Sequence, residues 1–180
     1  RIERSALGLF AARGVDGVST REIAAEAGLS EAMIYKHFDS KEALAEILFE
    51  TIHARLHALV VTAIAESADF GDAVRRVVGA YCEAADADRV LFEYHLVHMF
   101  RFGRVDRPGR PDPTGLIAER IAQAMADGDC PAGDAEIKAA AALGVVLQPA
   151  AHRMAGRFAA AMASRADDFA RAALAAIQEA

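Results

Sequence analysis

The chain has no tryptophan, two cysteines and five prolines among 180 residues. Cys82 and Cys130 are too few to build a disulfide framework, which excludes the small secreted scaffolds that depend on one. No uninterrupted apolar run approaches the roughly 18 to 20 residues that span a bilayer, so no membrane is expected as a partner. No charged-then-apolar leader with a small-residue cleavage site opens the sequence, and the expectation is a cytoplasmic protein. Arg1 already reads as part of a helix, which predicts that further residues precede it. Strand-like alternation and internal repeats are missing as well. What is there is alanine, dominant in a composition that is 54% hydrophobic. Such a chain suits helices in close contact, and 180 residues can bury one good core or two small ones. An all-α fold is expected.

The most informative stretch runs from Ser19 to Leu44, STREIAAEAGLSEAMIYKHFDSKEAL. Ser19 and Glu22 form an S-x-x-E capping box, in which each side chain satisfies a free amide of the other's turn. Ile23, Ala24 and Ala27 give one apolar face at helical spacing. Gly28 falls where a left-handed C-cap is needed, and Leu29 can fold back on the helix it ends. Ser30 is placed to cap a second short helix with Ile34 and Phe38 inward, and Asp39 and Ser40 offer a third cap. Two short helices, a glycine turn and the start of a longer helix make a helix-turn-helix.

The run Ile23-Ala24-x-x-Ala27-Gly28-Leu29-Ser30, followed by Tyr35-x-His37-Phe38 and Ser40-Lys41-Glu42-x-Leu44, resembles the DNA-binding domain of the tetracycline-repressor (TetR) family. The resemblance runs from about Ile2 to Ile47; beyond residue 50 it is one of architecture alone. It implies a sequence-specific, DNA-binding transcriptional regulator that is not an enzyme. It also implies a helix-turn-helix domain over 1–47 and, over 48–180, a domain for effector binding and dimerisation. By the same resemblance Tyr35 and Lys41 contact the phosphate backbone, His37 lies close to DNA, and Arg21 is the candidate for reading a guanine. Thr20 and Lys36 complete the set.

The second helix of such a motif enters the major groove with its N-terminal residues toward base edges. Here those are Glu31, Ala32 and Met33. Glu31 departs from the family pattern and can accept only from a base such as cytosine, whereas Met33 suits a thymine methyl. Net charge is −6, and acidic residues outnumber basic ones even in the first 50 positions. General coating of DNA is therefore disfavoured, and a local patch of Tyr35, Lys36, His37 and Lys41 would have to carry selective binding.

Helices are expected at about 2–13, 20–27, 31–37, 41–66, 70–86, 88–101, 114–127, 134–153 and 164–179. The fourth carries Leu44, Leu48, Ile52, Leu56 and Leu59 on one face and is long enough to act as a lever. Breaks are expected at Gly71, at the turn from Asp127 to Gly133 and in the loop from Phe102 to Pro113, where Arg104, Arg107 and Arg110 lie. Pro149 should kink or open its helix.

His53 with His57, and His95 with His98, share helix faces, but neither pair has the further ligands a metal site needs. No metal and no cofactor is expected. Cys82 reads as a small buried hydrophobe. Segment 90–102 is apolar on nearly every face and should be surrounded on most sides. It is either plain core or the wall of an effector pocket. The pocket reading names Val78, Tyr81, Phe92, His95, His98, Met99, Leu147 and Gln148 and expects a small, largely apolar ligand. The last two helices are Ala-rich. Leu143, Val146, Ala150, Phe169, Ala173 and Ile177 are the candidate homodimer interface, by the four-helix contact that the resemblance implies.

The expectation is a homodimeric repressor released from a palindromic site on double-stranded DNA by a small molecule. Its rivals are a constitutive DNA binder without an effector and a helical enzyme using the His95/His98 face.

Overall fold

The computed structural model describes residues 1–103 and 112–180. Among these residues there are nine α-helices and no strand. They are α1 (Ile2–Arg13), α2 (Thr20–Ala27), α3 (Glu31–His37), α4 (Lys41–Ala65), α5 (Phe70–Ala87), α6 (Arg89–Phe102), α7 (Pro113–Asp127), α8 (Ala135–Met154) and α9 (Ala166–Glu179). A single 3-10 turn, Ala163–Arg165, precedes α9. Arg104, Arg107 and Arg110 lie outside the described residues.

One break comes out differently from the sequence reading. Gly71 sits inside α5, because Asp69 caps the helix two residues earlier by accepting from the Asp72 amide at 2.7 Å. Pro149 lies inside α8, which continues past it to Met154.

The chain divides into two compact units. One holds Arg1–Ile52 with the described residues of Val90–Asp106; the other holds His53–Arg89 with the described residues of Arg107–Ala180. The division differs from the expected break near residue 47, and most of α6 joins the first unit. Its side chains explain why. The Tyr94 hydroxyl donates to the Ala45 carbonyl at 2.8 Å, and the ring stacks on Phe10 with centroids 6.4 Å apart. His95 lies flat on Phe49 at 4.7 Å.

Phe10, Ile23, Ile34, Leu44 and Phe49 complete this core with almost no exposed surface. Each such side chain contributes about 1.5 to 3 kcal/mol relative to remaining in water. The other face of α6 is open, with Val97 57% and Phe100 89% exposed. The expectation that this segment is surrounded is therefore corrected: the helix buries one stripe only.

The second unit packs α5, α7, α8 and α9 around Ala85, Ile121, Ala139, Ala142, Val146 and Ile177. Two polar devices fix it. Arg153 pairs with Asp86 and donates to the Ala85 carbonyl at 2.6 Å, while Asp86 accepts from the Met162 and Ala163 amides at 3.1 and 2.8 Å. Lys138, fully buried, donates through Nζ to the carbonyls of Ile177 and Ala180, closing the last turn of α9.

By length and composition α4 is long and apolar enough to cross a membrane. A search for uninterrupted apolar runs missed this because Glu46, Glu50 and Arg55 interrupt it. Part of its apolar surface is used inside the protein: Leu44, Leu48 and Ile52 are buried in the first unit, Leu56 and Val60 in the second, while Ile47 and Val61 are exposed.

Candidate DNA interface and effector cavity

The helix-turn-helix is held by local bonds that the sequence announces. The Ser19 hydroxyl accepts from the Glu22 amide at 3.3 Å, and Glu22 Oε2 accepts from the Ser19 amide at 2.8 Å, completing the capping box. Arg13 adds an ion pair to Glu22 Oε1 at 2.8 Å. The hydrogen bonds from Ser19, reinforced by Arg13, hold the Glu22 carboxyl down to about 2. Gly28 ends α2 in the left-handed region at φ 65°, where a side chain would be strained. Its amide and that of Leu29 then return to the Ala25 and Ala24 carbonyls at 3.0 and 2.9 Å. Ser30 occupies the cap position of α3, yet its side chain makes no capping bond. Ser40 does cap α4, accepting from the Ala43 amide at 3.0 Å.

Ile34 is the inward residue of α3, and its other side chains point out. Ala32, Met33, Tyr35, Lys36 and His37 are all exposed, as is Arg21 on α2, while Thr20 is half-buried. The Thr20 hydroxyl donates to Glu31 Oε1 at 2.6 Å and lies 3.1 Å from the Tyr35 hydroxyl. The first turns of α2 and α3 are thereby clasped, and the unusual Glu31 has a local task besides any base contact. Phe38, half-buried at the end of α3, tilts against the ring of His37 at 6.4 Å.

Lys41 is placed otherwise than its expected phosphate contact suggests. Its Nζ donates to the carbonyls of Val18 at 2.9 Å and Val15 at 3.0 Å, with Asp16 at 3.5 Å. An ammonium has three protons, so these carbonyls occupy it and tie the α1–α2 loop to the start of α4.

The expected effector residues do not converge on one place. Phe92, His95 and His98 are buried in the first unit, where His98 packs on Tyr94 at 4.5 Å and Phe102 at 5.8 Å. Met99 is half-buried on the same helix. Burial and the Arg101 guanidinium hold the His98 imidazole below its ordinary 6.5, with Asp16 opposing. Gln148 is exposed, with Nε2 3.2 Å from His152 Nε2, and Leu147 is half-buried.

A narrow apolar cavity of about 40 Å³ lies instead within the second unit, walled by Phe70, Val74, Val77, Val78 and Tyr81 of α5. Ile64 of α4, Ala73 of α5, Ile117, Arg120 and Ile121 of α7, Ala142, Leu143 and Val146 of α8, and Ala173 and Ile177 of α9 complete it. Of the eight expected pocket residues, only Val78 and Tyr81 line this space. Sequence reading missed Arg120; the available signal was a charge at helical spacing from Ile117 and Ala124 on the apolar stripe of α7.

Four of the six candidate interface residues face the same cavity, namely Leu143, Val146, Ala173 and Ile177. Ala150 is also buried inside the unit, and Phe169 is half-buried with its ring 6.2 Å from Phe158. These residues are thus the inward stripe of α8 and α9. On the outward side the small residues Ala140, Gly144, Ala172 and Ala175 are exposed, together with Ile137, Gln148 and Arg171. Cys82 is buried, and burial with the nearby Asp86 carboxylate pushes its thiol up to about 11, far from a reactive thiolate. His53 is buried and His57 half-buried on α4.

Residues 2–48 match the family model described as bacterial regulatory proteins, tetR family. The whole chain is similar in fold to a bacterial regulatory protein in the tetR family from Rhodococcus RHA1, at TM-score 0.82 and 21% identity over 99% of this chain and 96% of that one. It is also similar to the TetR family transcriptional regulator PfmR from Thermus thermophilus, at TM-score 0.79 and 21% identity over 97% of each chain. A third likeness is to the fatty acid degradation regulator FadR from Bacillus halodurans, at TM-score 0.77 and 15% identity over 96% of each. At these identities the likeness is one of fold. No curated protein matches the chain by sequence.

Proposed function

We propose, on the premise that this chain belongs to the tetR family of bacterial regulatory proteins and carries its DNA-binding helix-turn-helix, that it is a cytoplasmic, homodimeric repressor. It binds a palindromic operator and is released from it by a small, largely apolar effector. The observation that carries DNA reading is the outer face of α3: Ala32, Met33, Tyr35, Lys36 and His37 are exposed around a single buried anchor, Ile34, and Arg21 is exposed on α2. Side chains so presented are free to reach base edges and phosphates. Arg21 is the base-reading candidate, and Tyr35, Lys36 and His37 are the backbone contacts.

The effector reading rests on the cavity in the second unit, whose walls are aliphatic or aromatic except for Arg120 and the Tyr81 hydroxyl. The dimer reading rests on the small outward residues of α8 and α9, which permit close approach of a second copy. Release requires a ligand that prefers the dimer form with wrongly spaced reading heads; a preference of about 100-fold, about 2.7 kcal/mol, suffices.

The experiment is selection of bound duplexes from a randomised pool, followed by anisotropy titration of the winner and a screen of apolar ligands for its release. A palindromic winner that a ligand dissociates is the expected outcome. Duplexes without half-site symmetry would defeat the dimeric operator, and ligands that bind without changing DNA affinity would defeat the release mechanism.

A further inference from the structure

Among the described residues, Arg120 is the one charged residue on the cavity wall. It projects from α7 with its guanidinium carbon 5.2 Å from the centroid of the Phe70 ring, so one face of the cation is covered by an aromatic surface. Its Nη1 is shielded from solvent and donates to none of the described residues. No carboxylate pairs with Arg120 among them either. The two buried cations of this unit have partners: Lys138 donates to two carbonyls, and Arg153 to Asp86 and the Ala85 carbonyl. A guanidinium donor shielded from water and left unmatched is costly; Arg153 Nε is in the same condition, but of the two only Arg120 faces the cavity.

From this we infer that the cavity is an acid-binding site, in which Arg120 anchors the carboxylate of a slim, straight-chain monocarboxylic acid whose hydrocarbon lies along Val74, Val77 and Leu143. The inference rests on the effector reading above and gives that ligand its chemical class. A single cation matches a single negative charge, and the remaining wall offers nothing to neutralise a phosphate or a second carboxylate. A neutral carbonyl would accept the hydrogen bond but leave the positive charge uncompensated in an apolar setting. At 40 Å³ the cavity is well below the roughly 150 Å³ that admits a benzene ring, so a hydrocarbon chain enters only as the wall opens around it. Val74, Val77 and Leu143 are half-buried rather than fully enclosed, and the inference requires them to part around the methylenes.

The test uses the full chain with decanoate, below its micellar concentration, and 1-decanol as probes at neutral pH. Binding is read by calorimetry and by thermal shift, alongside operator release. Decanoate should bind at least tenfold more tightly than decanol. Arg120→Met should abolish that preference by weakening decanoate alone, while Arg120→Lys retains part of it. Since Arg120→Met removes an unmatched charge, its melting temperature should equal or exceed that of the parent; should it fail to fold, the decanoate-to-decanol ratio in the parent and in Arg120→Lys still decides.

Equal affinities in the parent, a decanoate preference that survives in Arg120→Met, or no binding of either probe would each overturn the acid site. Decanol binding that releases operator without a carboxylate preference would leave the effector reading standing while removing this one. Arg120-dependent decanoate binding that leaves DNA affinity unchanged would uphold the site and defeat its role as effector pocket.

Discussion

Lys41 Nζ lies 2.9 Å from the carbonyl oxygen of Val18, and the two residues belong to opposite ends of the helix-turn-helix. A lysine at the first turn of α4 thereby caps the loop that follows α1. Lys41→Met should leave the Val15 and Val18 carbonyls without this donor. Stability should fall by about 1 to 3 kcal/mol, the cost of leaving a buried acceptor without its donor. Urea unfolding measures it directly. An unchanged midpoint with weakened binding to every duplex would return Lys41 to a pure phosphate contact.

Arg21 and Tyr35 should separate in their effect on DNA. Arg21→Ala should relax discrimination at one base-pair step by about 1 to 3 kcal/mol, as for a lost bidentate guanine contact. Tyr35→Ala should weaken operator and random duplex alike, since a backbone contact carries no sequence information. Competition titrations against single-step operator variants distinguish the two. Equal losses on both duplexes for Arg21→Ala would remove it from the base-reading set.

On α9, neighbouring positions should behave oppositely. Ala175 is exposed and Ala173 is 1% exposed. Ala175→Glu should keep helical content and melting behaviour yet sediment as a monomer. Ala173→Glu should bury an unpaired charge against Ile177 and the cavity and unfold the second unit. A dimeric Ala175→Glu would place the interface elsewhere.

His98 makes the first unit sensitive to mild acid. Its folded-state pKa lies below the ordinary 6.5, chiefly through burial, with Arg101 second and Asp16 opposing. The neutral ring is the form the fold favours, so the unfolded chain binds the proton more readily. Stability is then full above about pH 6.5 and declines as pH falls below it, toward the depressed pKa. His98→Phe should flatten the unfolding midpoint across about pH 5 to 7. A slope identical to the parent would assign the acid sensitivity to other groups.

Much of the fold was legible because it is local. The capping box of Ser19 and Glu22, the left-handed Gly28 and the 3.6-residue periodicity are written within a few positions of one another, so the helix bounds and the helix-turn-helix follow from sequence. So does the outward set on α3, since one buried anchor, Ile34, leaves the others exposed. What tertiary structure decided is which neighbour each face meets. An Ala-rich helix has two faces that tolerate burial. Packing gave Leu143, Val146, Ala173 and Ile177 to the core and left Ala140, Gly144, Ala172 and Ala175 outside. Segment 90–102 looked equally fit for a pocket wall, but Tyr94 and His95 found Phe10 and Phe49, residues far back along the chain. For Lys41 the sequence offered a phosphate contact; only the folded turn shows its ammonium bonded to three carbonyls as well. Arg120 drew no notice, because a single charge on an amphipathic helix ordinarily finds water. Its aromatic cover and missing partner exist only once α5 and α7 are brought together.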